Sequence, residues 1–355
     1  MKPKERVLAA IEHSEPDRVP INYIANAGIH QRLTKHFGIA DNDRETLLEA
    51  LQVDFRGVGV PYCGARLHPA VPGIHVDPQW GIQRVWIEHE TGGYWDYTGF
   101  PLKEASVEDV EQWPMPSPED YDYGAVKRAC DQNAEYAIHF GGPGLGDIIN
   151  KSGMLRSMEQ VLVDLMTDDP AGIRLIDRRM DVVVETTTRA LEAAADRIDL
   201  LWIGEDLGTQ LGPMISLDLF RKHIRPRHQR LVDAAKAFDL PVMIHSCGSS
   251  SWAFDEFIDM GINVVDTLQP EAARMEPAFL KQSFGDKLAF HGCISTAGPV
   301  AFGTPEQVQQ SVRETLEIMM PGGGYCLAPT HALQDNSPTE NVLAMYETAL
   351  TYGRY

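Results

Sequence analysis

The pattern of apolar and polar positions becomes regular after residue 135. Short apolar runs there alternate with amphipathic segments of about ten residues or more. Short apolar runs are typical of buried strands, and longer segments with a 3.6-residue period are typical of helices. The pattern predicts strands at 136–140, 200–203, 241–245, 264–265, 287–290 and 324–327. It predicts helices at 157–167, 170–195, 217–237, 252–260, 276–283, 305–319 and 338–350.

The first 60 residues extend the same pattern. They predict strands at 18–24 and 54–60, and helices at 3–13, 28–37 and 44–52. Strands that alternate with helices form βαβ units and a parallel sheet. Eight strands fit an α/β fold of the (β/α)8 TIM-barrel type with an N-terminal helical extension. A doubly wound open sheet is the alternative, but the chain carries no dinucleotide-binding fingerprint to support it.

Residues 64–104 have a different pattern. They contain scattered prolines, paired glycines at 92–93 and alternating runs such as Gln83–Glu88, which predict a small inserted β element. Residues 105–122 form an acidic, proline-rich connector. Since no repeat, low-complexity tract or long linker divides the chain, we expect residues 1–355 to form a single barrel domain.

Composition and charge exclude several classes of function. The 355 residues are 43% hydrophobic and 23% charged, and the formal charge is 31 − 51 = −20. An acidic chain of this kind argues against nucleic-acid binding, which depends on phosphate neutralisation. No apolar run approaches the ~20 residues of a membrane span, and the N-terminus does not resemble a secretory signal. We therefore expect a cytoplasmic protein without a nucleic-acid or membrane partner.

Reactive side chains follow several predicted strands directly. Glu205 and Asp206 come after one strand, His245 and Cys247 end the next, and His291 follows a third. In a parallel barrel these positions meet at the carboxyl-terminal face, where barrel enzymes place their active sites. The sequence therefore predicts a functional site at that face.

The His245-Ser-Cys247 segment indicates a metal centre. Residues two apart on an extended strand point to the same side, so the imidazole and the thiolate can face one ion. Cys326 ends another predicted strand and supplies a third ligand. One histidine and two cysteines favour Zn²⁺, and three protein ligands leave one position open, as in catalytic sites. Water or a carboxylate, from Glu205 or Asp266, would complete the coordination.

Four segments carry a family resemblance. They are Gly204-Glu-Asp-Leu-Gly208, His245-Ser-Cys-Gly248, His291-Gly-Cys-Ile-Ser295 and Gly322-Gly-Gly-Tyr-Cys326. In this order they resemble the uroporphyrinogen decarboxylase superfamily, and within it the zinc-dependent, corrinoid-linked methyltransferase branch. The resemblance implies a (β/α)8 barrel and a zinc ion held by His245, Cys247 and Cys326.

The resemblance also implies an activity. It is a zinc-dependent methyltransferase that moves a methyl group between a small methylated substrate, such as a methoxylated compound or a methylamine, and a corrinoid or thiol acceptor. The chain lacks the Asp-x-His-x-x-Gly signature of corrinoid-binding domains. The corrinoid is therefore expected on a partner protein or free in solution. The resemblance suggests a monomer or a homodimer.

A cofactor-free decarboxylase acting on a carboxylated substrate is the alternative within the superfamily. True decarboxylases carry an Arg-Gln-Ala-Gly-Arg motif after the first strand, and here the corresponding stretch, Ala25–Arg32, keeps neither motif arginine. Asp54 would correspond to the family's catalytic aspartate, and His331 to its late histidine.

The candidate site residues have three expected roles. The candidates for catalysis are Glu205, Asp54 and His331. The candidates for substrate binding are Asn26, His139, Asp206, Asp266, Gln269 and His291. The candidate metal ligands are His245, Cys247 and Cys326.

Overall fold

The computed structural model describes residues 1–40, 43–89 and 92–355, and their main feature is a seven-stranded parallel sheet. The strands are β1 (Phe55–Val58), β2 (His75–Val76), β3 (Gln83–His89), β4 (Gly92–Tyr97), β5 (Ala137–Gly141), β6 (Leu200–Gly204), β7 (Val242–Ser246), β8 (Val264–Thr267), β9 (Ala289–Ile294) and β10 (Tyr325–Pro329). The large sheet has the order β1-β5-β6-β7-β8-β9-β10. All of its neighbouring strands are parallel, as expected for successive βαβ units.

The two edge strands, β10 and β1, are bridged by the segment 20–25. Leu327 on β10 accepts a 2.9 Å hydrogen bond from Asn22 N, and Asp54, just before β1, donates at 2.9 Å to Ile21 O. Because one segment bonds both edges, the sheet curls on itself. The predicted α/β fold with a curled, mostly parallel sheet is therefore confirmed.

The predicted strand at 18–24 is not a continuous strand. Ile21 and Ala25 make only isolated bridges to the chain in and after β10. Pro20 has no N–H to give to a ladder, and proline interrupts a strand for that reason. The other seven predicted strands are present, but an exact eight-stranded barrel is not confirmed.

Helices cover the outside of the sheet. They are α1 (Pro3–Ile11), α2 (Ala27–Phe37), α3 (Arg44–Ala50), α4 (Val107–Gln112), α5 (Tyr123–Gln132), α6 (Ile149–Arg156), α7 (Met158–Thr167), α8 (Pro170–Ala194), α9 (Leu217–Leu219), α10 (Arg225–Lys236), α11 (Phe254–Met260), α12 (Pro277–Phe284), α13 (Pro299–Phe302), α14 (Pro305–Met319) and α15 (Thr339–Tyr352). A π-helical turn at Phe220–Ile224 joins α9 to α10, where the sequence predicts one continuous helix. Among the described residues, no helix is long and apolar enough to cross a bilayer.

A second, three-stranded antiparallel sheet lies between β1 and α4. It consists of β2, β3 and β4 in that order, within the segment for which the sequence predicts an inserted β element. Ile82, just before β3, and Leu102, after β4, pack with Leu155 on α6 and Leu175 on α8. The small sheet is thereby fixed against the helices that follow β5.

Helix α1 closes the amino-terminal end of the large sheet. Its apolar residues Val7, Ala10 and Ile11 are buried against the inward side chains of the strands, among them Phe55 and Met243. This end of the sheet is therefore filled by packed apolar side chains, and any open site must lie at the carboxyl end.

A buried carboxylate fastens α1 and the segment 20–25 to β1. Asp54 is fully buried, and its oxygens lie 2.6 Å from Arg6 Nη1 and 2.7 Å from Arg18 Nη1. The same carboxylate accepts a 2.8 Å hydrogen bond from Ile21 N. Arg6 continues the network to Asp17 at 2.7 Å. A buried anion with this many donors joins three chain segments at one point.

We expect Arg6→Met to destabilise the fold strongly. It removes one of the two cations that compensate Asp54, and breaking a buried ion pair costs about 3–5 kcal/mol of unfolding free energy. Urea denaturation followed by circular dichroism measures the loss. The control is Arg189→Met, which removes a more exposed pair with Glu119 and Glu185 and should cost much less, because solvent screens exposed ion pairs. Equal losses in the two variants would contradict the role given to Asp54.

Candidate metal centre

Three polar side chains converge where β6 and β7 end. Cys247 Sγ lies 3.3 Å from His245 Nε2, and Asp206 Oδ1 lies 3.6 Å from the same nitrogen. One ligand atom from each of the three residues lies within 4.8 Å of the other two, and among the described residues this is the group that could hold a metal ion. β6 and β7 are neighbours in the sheet, so the loops that follow them meet.

Backbone and amide donors hold Asp206 in place. Its Oδ1 accepts a 3.0 Å hydrogen bond from Cys247 N, and its Oδ2 accepts one of 2.9 Å from Asn150 Nδ2 on α6. From the sequence, Asp206 is expected to bind substrate, whereas the structure places it beside His245 and Cys247. Its position directly after β6 is the signal that could have suggested a ligand.

Asp266 on β8 orients the imidazole of His245. Its Oδ2 lies 2.6 Å from His245 Nδ1, and Thr267 Oγ1 lies 2.7 Å from the same nitrogen. Against the effect of burial, the hydrogen bonds and charges of Asp266 and Cys247 raise the pKa of His245. A carboxylate on one ring nitrogen leaves the other, Nε2, to face the cluster, as around metal-bound histidines.

The same carboxylate bridges to a second imidazole. Asp266 Oδ1 lies 2.5 Å from Nδ1 of the fully buried His291, whose Nε2 lies 3.0 Å from Asn22 Nδ2. Although burial opposes it, the charges and hydrogen bonds of His291 and His245 lower the pKa of Asp266. Asp266 is therefore an anion shared by two rings, and His291 supports the site from inside the sheet.

Glu205 does not join the group, although it precedes Asp206. It is fully buried, and its oxygens accept hydrogen bonds of 2.8 and 2.9 Å from Ile148 N and Ile149 N at the start of α6. His228 Nε2 lies 3.2 Å away. Burial raises the pKa of Glu205 to about 8, although the two amides act in the opposite direction. Its place in the structure is that of an anchor for α6.

Cys326 lies away from His245 and Cys247. It is 1% exposed and belongs to the apolar layer that α1 closes, with Met243 and Val264 as neighbours in that layer. Burial raises the pKa of its thiol. Cys326 comes three residues before Pro329, where β10 ends. Its backbone pairs with His291 on β9, but its thiol is not part of the group formed by Asp206, His245 and Cys247.

The two residues of the decarboxylase alternative lie at opposite ends of the sheet. Asp54 precedes β1 at the amino end, where Arg6 and Arg18 occupy its oxygens. His331 follows β10 at the carboxyl end, where it is exposed and its Nδ1 lies 3.3 Å from Ala332 O. The structure does not bring these two residues together.

Two further candidates for substrate binding have structural partners. Asn26 caps helix α2, because its side chain accepts a 3.1 Å hydrogen bond from Ile29 N. Gln269 Oε1 accepts a 2.6 Å hydrogen bond from Gly248 N. Gln269 therefore fixes the turn that follows Cys247.

A cavity of about 580 Å³ is lined by residues of the segment 20–25, α3, β1 and β5, and by Trp202 on β6. His139 and Trp202 form part of its wall, with ring centroids 4.9 Å apart, and Trp202 in turn lies 5.4 Å from His291. The loop that begins at Gly141 forms another part. The cavity has the size of a small-molecule site, and the His291–Asp266 pair connects its wall to His245.

The curled parallel sheet and the His–Cys–Asp group at its carboxyl end define a barrel-like α/β protein with a candidate metal centre. The model of the uroporphyrinogen decarboxylase (URO-D) family matches residues 101–352. The chain belongs to this family, which confirms the resemblance seen in the sequence.

Two known proteins are similar to the chain. The methylcobamide:CoM methyltransferase MtbA of Methanosarcina acetivorans is 23% identical over 192 residues, which are 53% of this chain and 52% of MtbA. The chain thus spans about half the length of that curated relative. The solved structure of a methyltransferase from Methanosarcina mazei has a TM-score of 0.68 and 18% identity, and covers 99% of both chains. This match shows a shared fold.

We expect His139 to lower the stability of the folded protein at acidic pH. Burial lowers the pKa of His139 to about 4 from an ordinary 6.5. The unfolded chain therefore binds the extra proton first, and stability present above pH 6.5 is lost as the pH falls toward 4. In His139→Phe, the difference in unfolding free energy between pH 7.5 and pH 5 should shrink by about 2 kcal/mol.

Urea titrations at the two pH values measure this difference. The control is His75→Gln, at an exposed position on β2, which should keep the wild-type pH dependence. A His139→Phe variant with the full wild-type pH dependence would contradict the prediction.

Proposed function

We propose that the chain is a zinc-dependent methyltransferase that moves a methyl group between a small methylated substrate and a corrinoid or thiol acceptor. The observation that carries the proposal is the convergence of Asp206, His245 and Cys247 at the carboxyl end of the sheet. The names of the two relatives support the reaction class.

The donor set suits zinc. Imidazole, thiolate and carboxylate are its usual ligands, and tetrahedral geometry would separate a nitrogen and a sulfur ligand by about 3.6 Å, and a nitrogen and an oxygen ligand by about 3.4 Å. The corresponding separations here are 3.3 Å for Cys247–His245 and 3.6 Å for Asp206–His245. Three protein ligands would leave one coordination position for a substrate, as in catalytic zinc sites.

Bound zinc would supply Lewis acidity, either to polarise the leaving group of a methyl donor or to lower the pKa of an acceptor thiol. Neighbouring residues hold the candidate ligands in orientations suited to metal binding. Asp266 holds a proton on His245 Nδ1, so that Nε2 is the nitrogen that would bind the metal, after giving up its own proton. Cys247 N and Asn150 fix the direction of Asp206 before any metal arrives. Burial raises the pKa of Cys247, so its thiol proton would leave when the metal binds.

The cavity lined by His139 and Trp202 would hold the methylated substrate. Its 580 Å³ accommodates a small molecule, and aromatic walls exclude water from the group being transferred. A corrinoid on a partner protein, or free, would approach from the open side. No specific observation favours the decarboxylase alternative, because Asp54 and His331 do not lie near each other.

We expect purified protein to hold about one zinc ion per chain, and Cys247→Ser and Asp206→Asn to lose most of it, because each variant removes one ligand. Plasma emission spectrometry after gel filtration measures the metal. Cys63→Ser is the matched control, since Cys63 is exposed and lies outside the group. Cys326→Ser should also keep its zinc. If Cys326→Ser loses zinc and Asp206→Asn retains it, the ligand set is His245, Cys247 and Cys326.

Removal of the metal tests the function itself. After treatment with a chelator, the circular dichroism spectrum should persist, because the fold has a large core independent of the metal. Methyl transfer from a methylated corrinoid to a thiol should stop and return with added zinc. Full transfer without zinc, or collapse of the structure on chelation, would overturn the proposal.

Asp266→Asn should weaken zinc binding about 10–100-fold while leaving the ligands in place, since groups that orient a metal-bound histidine have effects of this size. Competition with a chromogenic chelator measures the affinity. Asp259→Asn, on the exposed side of α11, is the control and should bind zinc like the wild type. An unchanged affinity in Asp266→Asn would show that His245 does not depend on this carboxylate.

A further inference from the structure

A second cavity, of about 260 Å³, lies between the small sheet and the helices that follow β5. Arg84 on β3 and Tyr97 on β4 line one side of it. Lys151 on α6 and Arg179 on α8 line the other. Neither the proposed metal centre nor the first cavity uses any of these residues.

The three cations of this cavity have no acidic partner at ion-pair distance within the described part of the chain. Arg179 is only 7% exposed, and its Nη1 has no hydrogen-bond partner. Arg84 Nε is likewise buried without a partner. A buried donor left unpaired costs free energy, and arginines without partners are rare in protein interiors. These donors point to an acceptor that comes from outside the chain.

The surroundings keep the cations in the cavity. The guanidinium of Arg179 lies 4.4 Å from the centre of the Trp80 ring, a cation–π contact that fixes its plane. A Cβ at Gly144 would come within 2.8 Å of Lys151 Cε and 3.0 Å of its Nζ. A larger residue at this position would displace the end of the lysine side chain from its present place. Burial lowers the pKa of Arg179 to about 10, so it stays charged at neutral pH.

The rest of the wall is mostly apolar or aromatic, apart from two carboxylates. Asp77 and Asp147 also line the cavity, so the three cations leave a positive surplus. The apolar and aromatic part consists mainly of Trp80, Ile82, Met154, Ile176, Met180 and Val183. A ligand that matches both parts carries an oxoanion at one end and a compact apolar body at the other.

We propose that this second cavity is a binding site for a small organic carboxylate, with the carboxylate on Arg84, Lys151 and Arg179 and an apolar or aromatic body against Trp80. Arginine provides the planar paired donors that carboxylates accept. A hydrogen-bond path joins the site to the metal group, because Asn150 Nδ2 donates both to Asp147 Oδ2 at 3.0 Å and to Asp206 Oδ2 at 2.9 Å.

Isothermal titration calorimetry with three probes tests the proposal. Benzoate carries the carboxylate and the apolar body, benzamide is its neutral counterpart, and inorganic phosphate is a bare oxoanion. We expect benzoate to bind the wild type more tightly than either other probe. Arg179→Met and Lys151→Met should each weaken benzoate about tenfold or more, the effect of losing one charge-assisted hydrogen bond. Arg230→Met, an outer-face cation paired with Asp181, should bind benzoate like the wild type.

A thermal melt without ligand separates binding from a structural role. Arg179→Met should raise the melting temperature, because it removes a buried charge that has no partner. A lower melting temperature would mean that Arg179 serves the fold, and it would overturn the proposal. Benzoate binding that is equal in Arg179→Met and wild type, or no tighter than benzamide or phosphate binding, would also overturn it. The titrations are repeated after chelation, and unchanged benzoate affinity there makes this result independent of the proposed zinc chemistry.

Discussion

The arrangement of the metal centre depends on one carboxylate shared by two imidazoles. Asp266 lies between His245 and His291, and the sheet register pairs these three residues directly across β7, β8 and β9. A slip of one residue in either pairing would turn a side chain to the other face of the sheet. The chain also bends sharply after Asp266, since Thr267 and Leu268 have φ values of 90° and 52°. Backbone strain of this kind is retained where the surrounding structure fixes it, often at functional sites.

A second buried carboxylate stabilises the fold and does not contribute to the site. Asp54 sits at the amino end of the sheet and accepts donors from Arg6, Arg18 and Ile21. It joins α1 to β1 and leaves no free oxygen pointing toward a cavity. The two carboxylates illustrate a general division in barrel-like folds, in which one end of the sheet provides stability and the other carries the site.

The sequence predicts the fold well because the apolar runs of a covered parallel sheet are distinctive. It fails at 18–24, where Pro20 breaks the ladder. It also identifies His245, Cys247 and Asp206 as strand-end residues. It cannot decide between Glu205 and Asp206, because a loop has no period that assigns directions to neighbouring side chains. Nor does the spacing show that the Cys326 side chain packs in the apolar layer that α1 closes. The unpaired cations of the second cavity come from β3, α6 and α8. These elements are far apart in the sequence, so no local motif predicts that the cations meet.

The position of helix α6 limits the substitutions by which such a protein can change its ligand specificity. Its consecutive residues Asn150 and Lys151 lie about 100° apart around the helix axis, one against Asp206 and the other in the second cavity. Glu205 fixes the start of the helix through two backbone amides. A substitution that tilts or shifts α6 to suit a new ligand would therefore move a metal-side contact as well. Lineages of this fold that diverge in specificity should accumulate changes on the small sheet and on α8, while the first turn of α6 stays the same.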